Sequence, residues 1–145
     1  MLQLQPTVTF IIPIRNNKDF LMEEINTVFE FSEIYPGFCE LILAVDGEQD
    51  GIVKLAWLAI KLKKANHPHV RTKIIRYASE VDMNTLIETS LKSALGQKIV
   101  IATDNPKMNL SQTCNPDFLQ REILTVQYLL NAKKLEELLS KTPVA

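Results

Sequence analysis

Glycine is scarce in this chain, with four among 145 residues. Loops that fold backbone closely around phosphate need several. Neither GxGxxG nor the P-loop pattern GxxxxGKS/T occurs, which argues against classical dinucleotide binding and P-loop hydrolysis. Cysteine is limited to Cys39 and Cys114, too few for a disulfide scaffold and without CxxC or Cys/His metal spacing, so both read as reduced thiols. The only histidines, His67 and His69, share one turn, and GxSxG is absent, which leaves a Ser/His triad without support. No sign of charge dominates: the formal net charge is -1, so no overall field draws the chain to nucleic acid or anionic lipid. The longest apolar run, Val8 to Ile14, is too short for a membrane span, and the first residues lack a basic leader. A cytoplasmic location is the default expectation.

What is present is an alternation. Val8–Ile14 is a nearly continuous β-branched and aromatic run, as in a strand buried on both faces. After Arg15-Asn16-Asn17, a helical stripe (Phe20, Leu21, Ile25, Val28, Phe29) extends to about Phe31 and stops at Tyr35-Pro36-Gly37. A second buried strand covers 39–45 and ends at Asp46-Gly47. A helix follows over about 50–65, with Lys61, Lys63 and Lys64 in its last turns, where the helix dipole favours cations. Residues 71–77 alternate as an edge strand. Asp82 is placed to N-cap a third helix that Gly96 would C-cap, and a fourth strand covers 98–102. Beyond a polar stretch, Pro116 to about Leu139 reads as one last amphipathic helix. Its apolar stripe is broader than one sheet face needs and offers a seam for a homodimer.

Strands alternating with helices over short connections predict an α/β fold: a three-layer αβα domain with a four-stranded, mainly parallel sheet. Ligands in such folds bind beyond the carboxyl ends of the strands, where strand order reverses. That rule selects residues 13–17, 46–50, 77–84 and 103–105.

The strings Val8-Thr9-Phe10-Ile11-Ile12-Pro13-Ile14-Arg15-Asn16 and Glu40-Leu41-Ile42-Leu43-Ala44-Val45-Asp46-Gly47-Glu48-Gln49-Asp50 resemble the opening of family 2 glycosyltransferases of the glycosyltransferase-A fold. Ala94-Leu95-Gly96-Gln97 through Thr103-Asp104-Asn105 resembles that family's later Ala-x-Gly-Asp, strand and Asp-x-Asp. The resemblance covers about Val8 to Asn105. It implies a Rossmann-like fold of the nucleotide-diphospho-sugar transferase type and a nucleotide-diphosphate sugar as partner. Asp46 falls on the aspartate that accepts hydrogen bonds from base or ribose, a role suited to an ionised carboxylate. Pro13, Arg15 and Asn16 fall beside the base, Arg15 replacing the family's tyrosine with a guanidinium that can stack or reach phosphate. Asn84, opening the third helix, offers amide contacts to phosphate or simply solvates the turn.

A magnesium or manganese ion is the cofactor the resemblance implies, neutralising charge on the leaving diphosphate. Here Asp104 and Asn105 stand at a degenerate Asp-x-Asp with one carboxylate, a weak metal site. The family's acceptor site lies beyond that motif, where this chain reads as loop and helix over 107–145. The expectation is therefore a single domain, 1–145, with a nucleotide-binding-like core over 1–106, that binds a nucleotide sugar without a complete acceptor site.

The alternatives stay open. Asp46-Gly47 and Asp104-Asn105-Pro106 are also ordinary turn chemistry. Trp57 reads as a core or interface anchor. The basic cluster Lys61, Lys63, Lys64, Arg71, Lys73, Arg76 has no interleaved aromatics, and nucleic acid is not an expected partner. A receiver-type domain lacks its acidic pair after the first strand. The rival function is a non-catalytic interaction or oligomerisation module that keeps the fold without activity.

Overall fold

A computed structural model describes residues 8–14, 18–35, 37–47, 50–77, 79, 81–103, 122–126, 129 and 131–141. The elements are β1 (Val8–Ile14), α1 (Lys18–Ile34), β2 (Cys39–Asp46), α2 (Asp50–Lys64), β3 (Val70–Tyr77), α3 (Met83–Ser93), β4 (Lys98–Ala102), β5 (Glu122–Val126) and α4 (Ala132–Lys141). The five strands form one sheet in the order β3-β2-β1-β4-β5, and all four pairings are parallel. With helices on both faces, this is the expected three-layer α/β architecture.

Strand alternation divides the core. Val8, Phe10, Ile12 and Ile14 of β1 join Leu41 and Leu43 of β2 under α1, α2 and α4 in the larger cluster. Ile11, Ile42, Ile99 and Ile101 face the other way, under Ile87 and Leu91 of α3. Every residue of β1 is buried, which explains why its sequence is continuous rather than alternating. Aromatic contacts anchor α1 to the larger face, where the Phe10 and Phe31 rings meet edge to face at 5.0 Å between centroids.

The sheet has five strands where four are expected. Glu122–Val126, inside the stretch read as a helix from Pro116 to Leu139, pairs in parallel with β4, Lys98↔Glu122 through Ala102↔Val126. The helix itself spans only Ala132–Lys141. Ile123, Thr125 and Val126 are β-branched, and the open edge of β4 offers a hydrogen-bonding partner that helical periodicity cannot reveal. The broad apolar stripe is thus two elements seen as one. Leu129, Leu135 and Leu139 are buried in the chain's own core, so the described part of the stripe does not support a homodimer through the C-terminal helix.

Asp82 caps α3 as expected, its Oδ1 accepting from the Thr85 N–H at 2.6 Å. Gly96 is not the C-cap. That place belongs to Ala94 in extended conformation, and the described glycines with positive φ are Gly37 and Gly47. Trp57 is not a core residue, being 36% exposed on α2.

Candidate nucleotide-binding edge

The carboxyl ends of the strands define one edge. There α1 leaves β1 over one face while α3 enters β4 from the other, so strand order reverses between β1 and β4. The β1–β2 ladder runs to Ile14↔Val45, but the β1–β4 ladder stops at Ile11↔Ile101. Pro13 has no N–H to give a ladder, and its presence in a central strand fits a place where pairing ends on one side. On its other edge β4 stays paired with β5 past Ile101, and the Thr103 N–H donates to the Val126 carbonyl at 2.7 Å. β1 and β4 therefore stop pairing three residues before β1 itself ends.

Around this edge the expected residues distribute as follows. Pro13 is buried and in register with Ala44. Asp46 is the last residue of β2, in register with Tyr77 of β3. Gly47 follows with φ 69°, its N–H donating to the Tyr77 carbonyl at 3.2 Å, so the Asp-Gly pair is also the turn that leads to α2. Asn84 is exposed on the second residue of α3. Arg15, Asn16, Asp104 and Asn105 lie outside the described residues.

Three further polar groups lie near the same end, of which Tyr77 and Thr103 fall in the ranges the strand-end rule selects and Glu24 does not. The Tyr77 hydroxyl hydrogen-bonds Thr89 Oγ1 on α3, and Thr89 in turn donates to the Thr85 carbonyl at 3.0 Å. Thr103 is buried at the end of β4. Glu24 of α1 is fully buried, with Oε2 accepting from the Leu129 N–H at 3.1 Å. In sequence Glu24 is indistinguishable from its exposed neighbour Glu23. Only the packing of α1 against the segment before α4 separates them.

A buried polar cluster lies at the opposite, amino edge. Glu40 is fully buried. Its Oε1 accepts from the Thr9 hydroxyl at 2.8 Å and from the Leu95 N–H at 2.9 Å. Lys73 Nζ lies 2.9 Å from Oε2, an ionic contact, and donates to the Ser93 carbonyl at 2.6 Å. This cluster ties the α3–β4 connection to three strands and is structural. His67 and His69 are also at that end, where their rings meet the Lys63 carbonyl, Glu33 Oε1 and the Ser32 carbonyl. Among the described residues, no three His, Cys, Asp or Glu side chains gather as metal ligands.

Sheet order, layering and the break at the β1–β4 carboxyl ends define a doubly wound, Rossmann-like α/β domain. No protein-family profile matches the chain. No curated protein matches it either. Among solved structures, a universal stress protein family member from Burkholderia pseudomallei superposes with a TM-score of 0.50 at 10% identity, over 82% of this chain and 95% of that one. A mannosyltransferase from Pyrobaculum calidifontis, solved in complex with GDP-Man and Mn2+, gives a TM-score of 0.47 at 19% identity over 64% of this chain. This chain spans 26% of the mannosyltransferase's length. At 10% identity the likeness to the universal stress protein family member is one of fold.

Proposed function

We propose that the chain binds a nucleotide-diphosphate sugar at the carboxyl edge between β1 and β4, as a minimal glycosyltransferase-like domain. The observation that carries this reading is the early end of the β1–β4 ladder at Ile11↔Ile101, at the point where strand order reverses. Pro13, Arg15 and Asn16 sit at or just after the end of β1, Asp46 closes β2, and Asp104 and Asn105 follow β4. In this reading the Asp46 carboxylate accepts from base or ribose, Arg15 stacks on the base or meets the diphosphate, and the Asn84 amide adds a phosphate contact. Asp104 and Asn105 supply one carboxylate and one amide oxygen toward magnesium or manganese. The described residues add no carboxylate cluster to that pair, so no step is assigned to the ion. Glycosyl transfer would need an acceptor site supplied in addition.

The test is thermal unfolding with UDP, GDP and the corresponding sugar nucleotides, with and without manganese. A ligand that binds only the folded state stabilises it by about 2.7 kcal/mol at a hundredfold excess over Kd. The expected result is a raised midpoint that Asp46→Ala and Arg15→Ala abolish while keeping the unliganded midpoint. An unchanged midpoint with every nucleotide in a folded sample rejects the reading.

The second reading, a non-catalytic interaction module, is favoured by one observation, the exposed leucine row on α2. In that case nucleotides leave the melting curve unchanged.

A further inference from the structure

Between Gly51 and Ser79 the chain carries seven of its 16 lysines and arginines and none of its 17 aspartates and glutamates. α2 fills the first half of this acid-free stretch. Ala56 and Ile60 bury one side of the helix in the core. On the other side Leu55, Leu58 and Leu62 are 63%, 58% and 76% exposed. Their i, i+3, i+7 spacing makes one row, about 10 Å long, on the helix surface. Lys54 and Lys61 flank Leu58 at helical-neighbour spacing. Trp57, the only tryptophan, lies beside them with Lys61 Nζ 5.9 Å from its ring centroid. Lys63 and Lys64 complete the basic last turn. Among the described residues no carboxylate forms an ion pair with any of these four lysines.

We propose that this face of α2 docks on an anionic lipid surface, lying in the headgroup plane with the leucine row inserted. Leucines and a tryptophan flanked by lysines are what an interfacial helix presents, the lysine stems reaching along apolar surface to keep their charges among headgroups. Tryptophan favours the same depth. Among the described residues no helix is long and apolar enough to cross a bilayer, so attachment is by lying on the membrane rather than spanning it. A second copy of the chain fits poorly, because a two-fold contact through this row would set lysines against lysines. Nucleic acid supplies nothing for the exposed leucines. Three leucines and a tryptophan are also a small patch beside the roughly 800 Å² per partner of a stable protein interface. The attachment is weak and reversible, and it does not depend on nucleotide binding at the β1–β4 switch point.

The test is sedimentation of the full chain with vesicles of phosphatidylcholine alone or with about one third phosphatidylserine, while following Trp57 fluorescence. The expected result is binding to the anionic vesicles, a blue shift of Trp57 emission and release by salt. Lys54→Gln with Lys61→Gln should lower binding roughly twenty-five-fold, at about fivefold per lysine. Leu58→Ser with Leu62→Ser should lower it about tenfold or more. Both pairs are exposed, and circular dichroism checks that the variants stay folded. The proposal is overturned by absence of binding to anionic vesicles, by equal binding to phosphatidylcholine alone, or by binding with unshifted Trp57 emission. It is also overturned by a solution dimer that the leucine variant dissociates, or by an acidic peptide shifting Trp57 while vesicles do not.

Discussion

Gly96 passes so close to Thr9 that position 96 has no room for a side chain. A Cβ there would stand 2.6 Å from both the Thr9 amide nitrogen and Oγ1, and the Gly96 N–H donates to that Oγ1 at 2.9 Å. Gly96→Ala forces the α3–β4 connection away from β1, and overpacking of this kind costs about 1–3 kcal/mol. Urea unfolding monitored by Trp57 should show a lower midpoint with unchanged slope. An alanine variant as stable as the parent would mean that the connection moves without penalty.

The contact between Glu40 and Lys73 predicts two unequal losses. Glu40→Ala leaves the Leu95 N–H and the Thr9 hydroxyl without their acceptor and strands Lys73 beside them. Removing one partner of a buried pair costs about 3–5 kcal/mol, reduced here because Lys73 is one-third exposed. Glu40→Gln keeps an oxygen for both donors and should cost clearly less. Equal effects in chemical denaturation would assign the loss to charge alone.

Stability should depend on pH through His67. Its Nδ1 meets the Lys63 carbonyl at 2.9 Å and its Nε2 meets Glu33 Oε1 at 2.5 Å, so both ring nitrogens face acceptors and the doubly protonated ring satisfies both. The Glu33 carboxylate foremost, with the Lys63 carbonyl behind it, raises the His67 pKa above its usual value. A raised folded pKa stabilises fully below the unfolded value of about 6.5 and loses that contribution as pH climbs through the folded one. Glu33 is 60% exposed, so the effect is below about 1 kcal/mol. The melting difference between the parent and Glu33→Gln should be largest near pH 6 and shrink as pH rises past the raised His67 value. A difference that grows with pH contradicts this sign.

Cys39 is fully buried, and burial pushes its thiol up to about 12. Thiolate is the reactive form, so in a Cys114→Ser background Ellman's reagent should label Cys39 only as fast as the chain unfolds. Adding urea should accelerate labelling in step with the unfolding transition. Rapid labelling of the folded chain would show that β2 opens locally.

The first four strands and three helices were legible because each is decided locally. Buried strands such as β1 need an unbroken apolar run, amphipathic helices need a 3.6-residue stripe, and Asp82 announces the start of α3 by its own side chain. The helix expected over 116–139 gives way to β5 at Glu122–Val126 because apolar spacing there suits two structures, and the deciding partner, the free edge of β4, is distant in sequence. Gly96 is a special position, but not as the helix C-cap its sequence context suggests. The constraint is the backbone of β1, 87 residues away, rather than a left-handed helix end.

At the candidate edge, the sequence by itself determined which residues follow which strand, since Pro13, Asp46 and Asp104 mark strand ends through proline and turn chemistry. Tertiary structure decided that β1 and β4 cease to pair at Ile11↔Ile101, that Glu24 and Glu40 are buried while Glu23 is not, and that the leucines of α2 remain uncovered. Local chemistry fixes the backbone conformation of a segment. Whether a side chain meets solvent, carboxylate or core depends on neighbours brought together only when the sheet assembles.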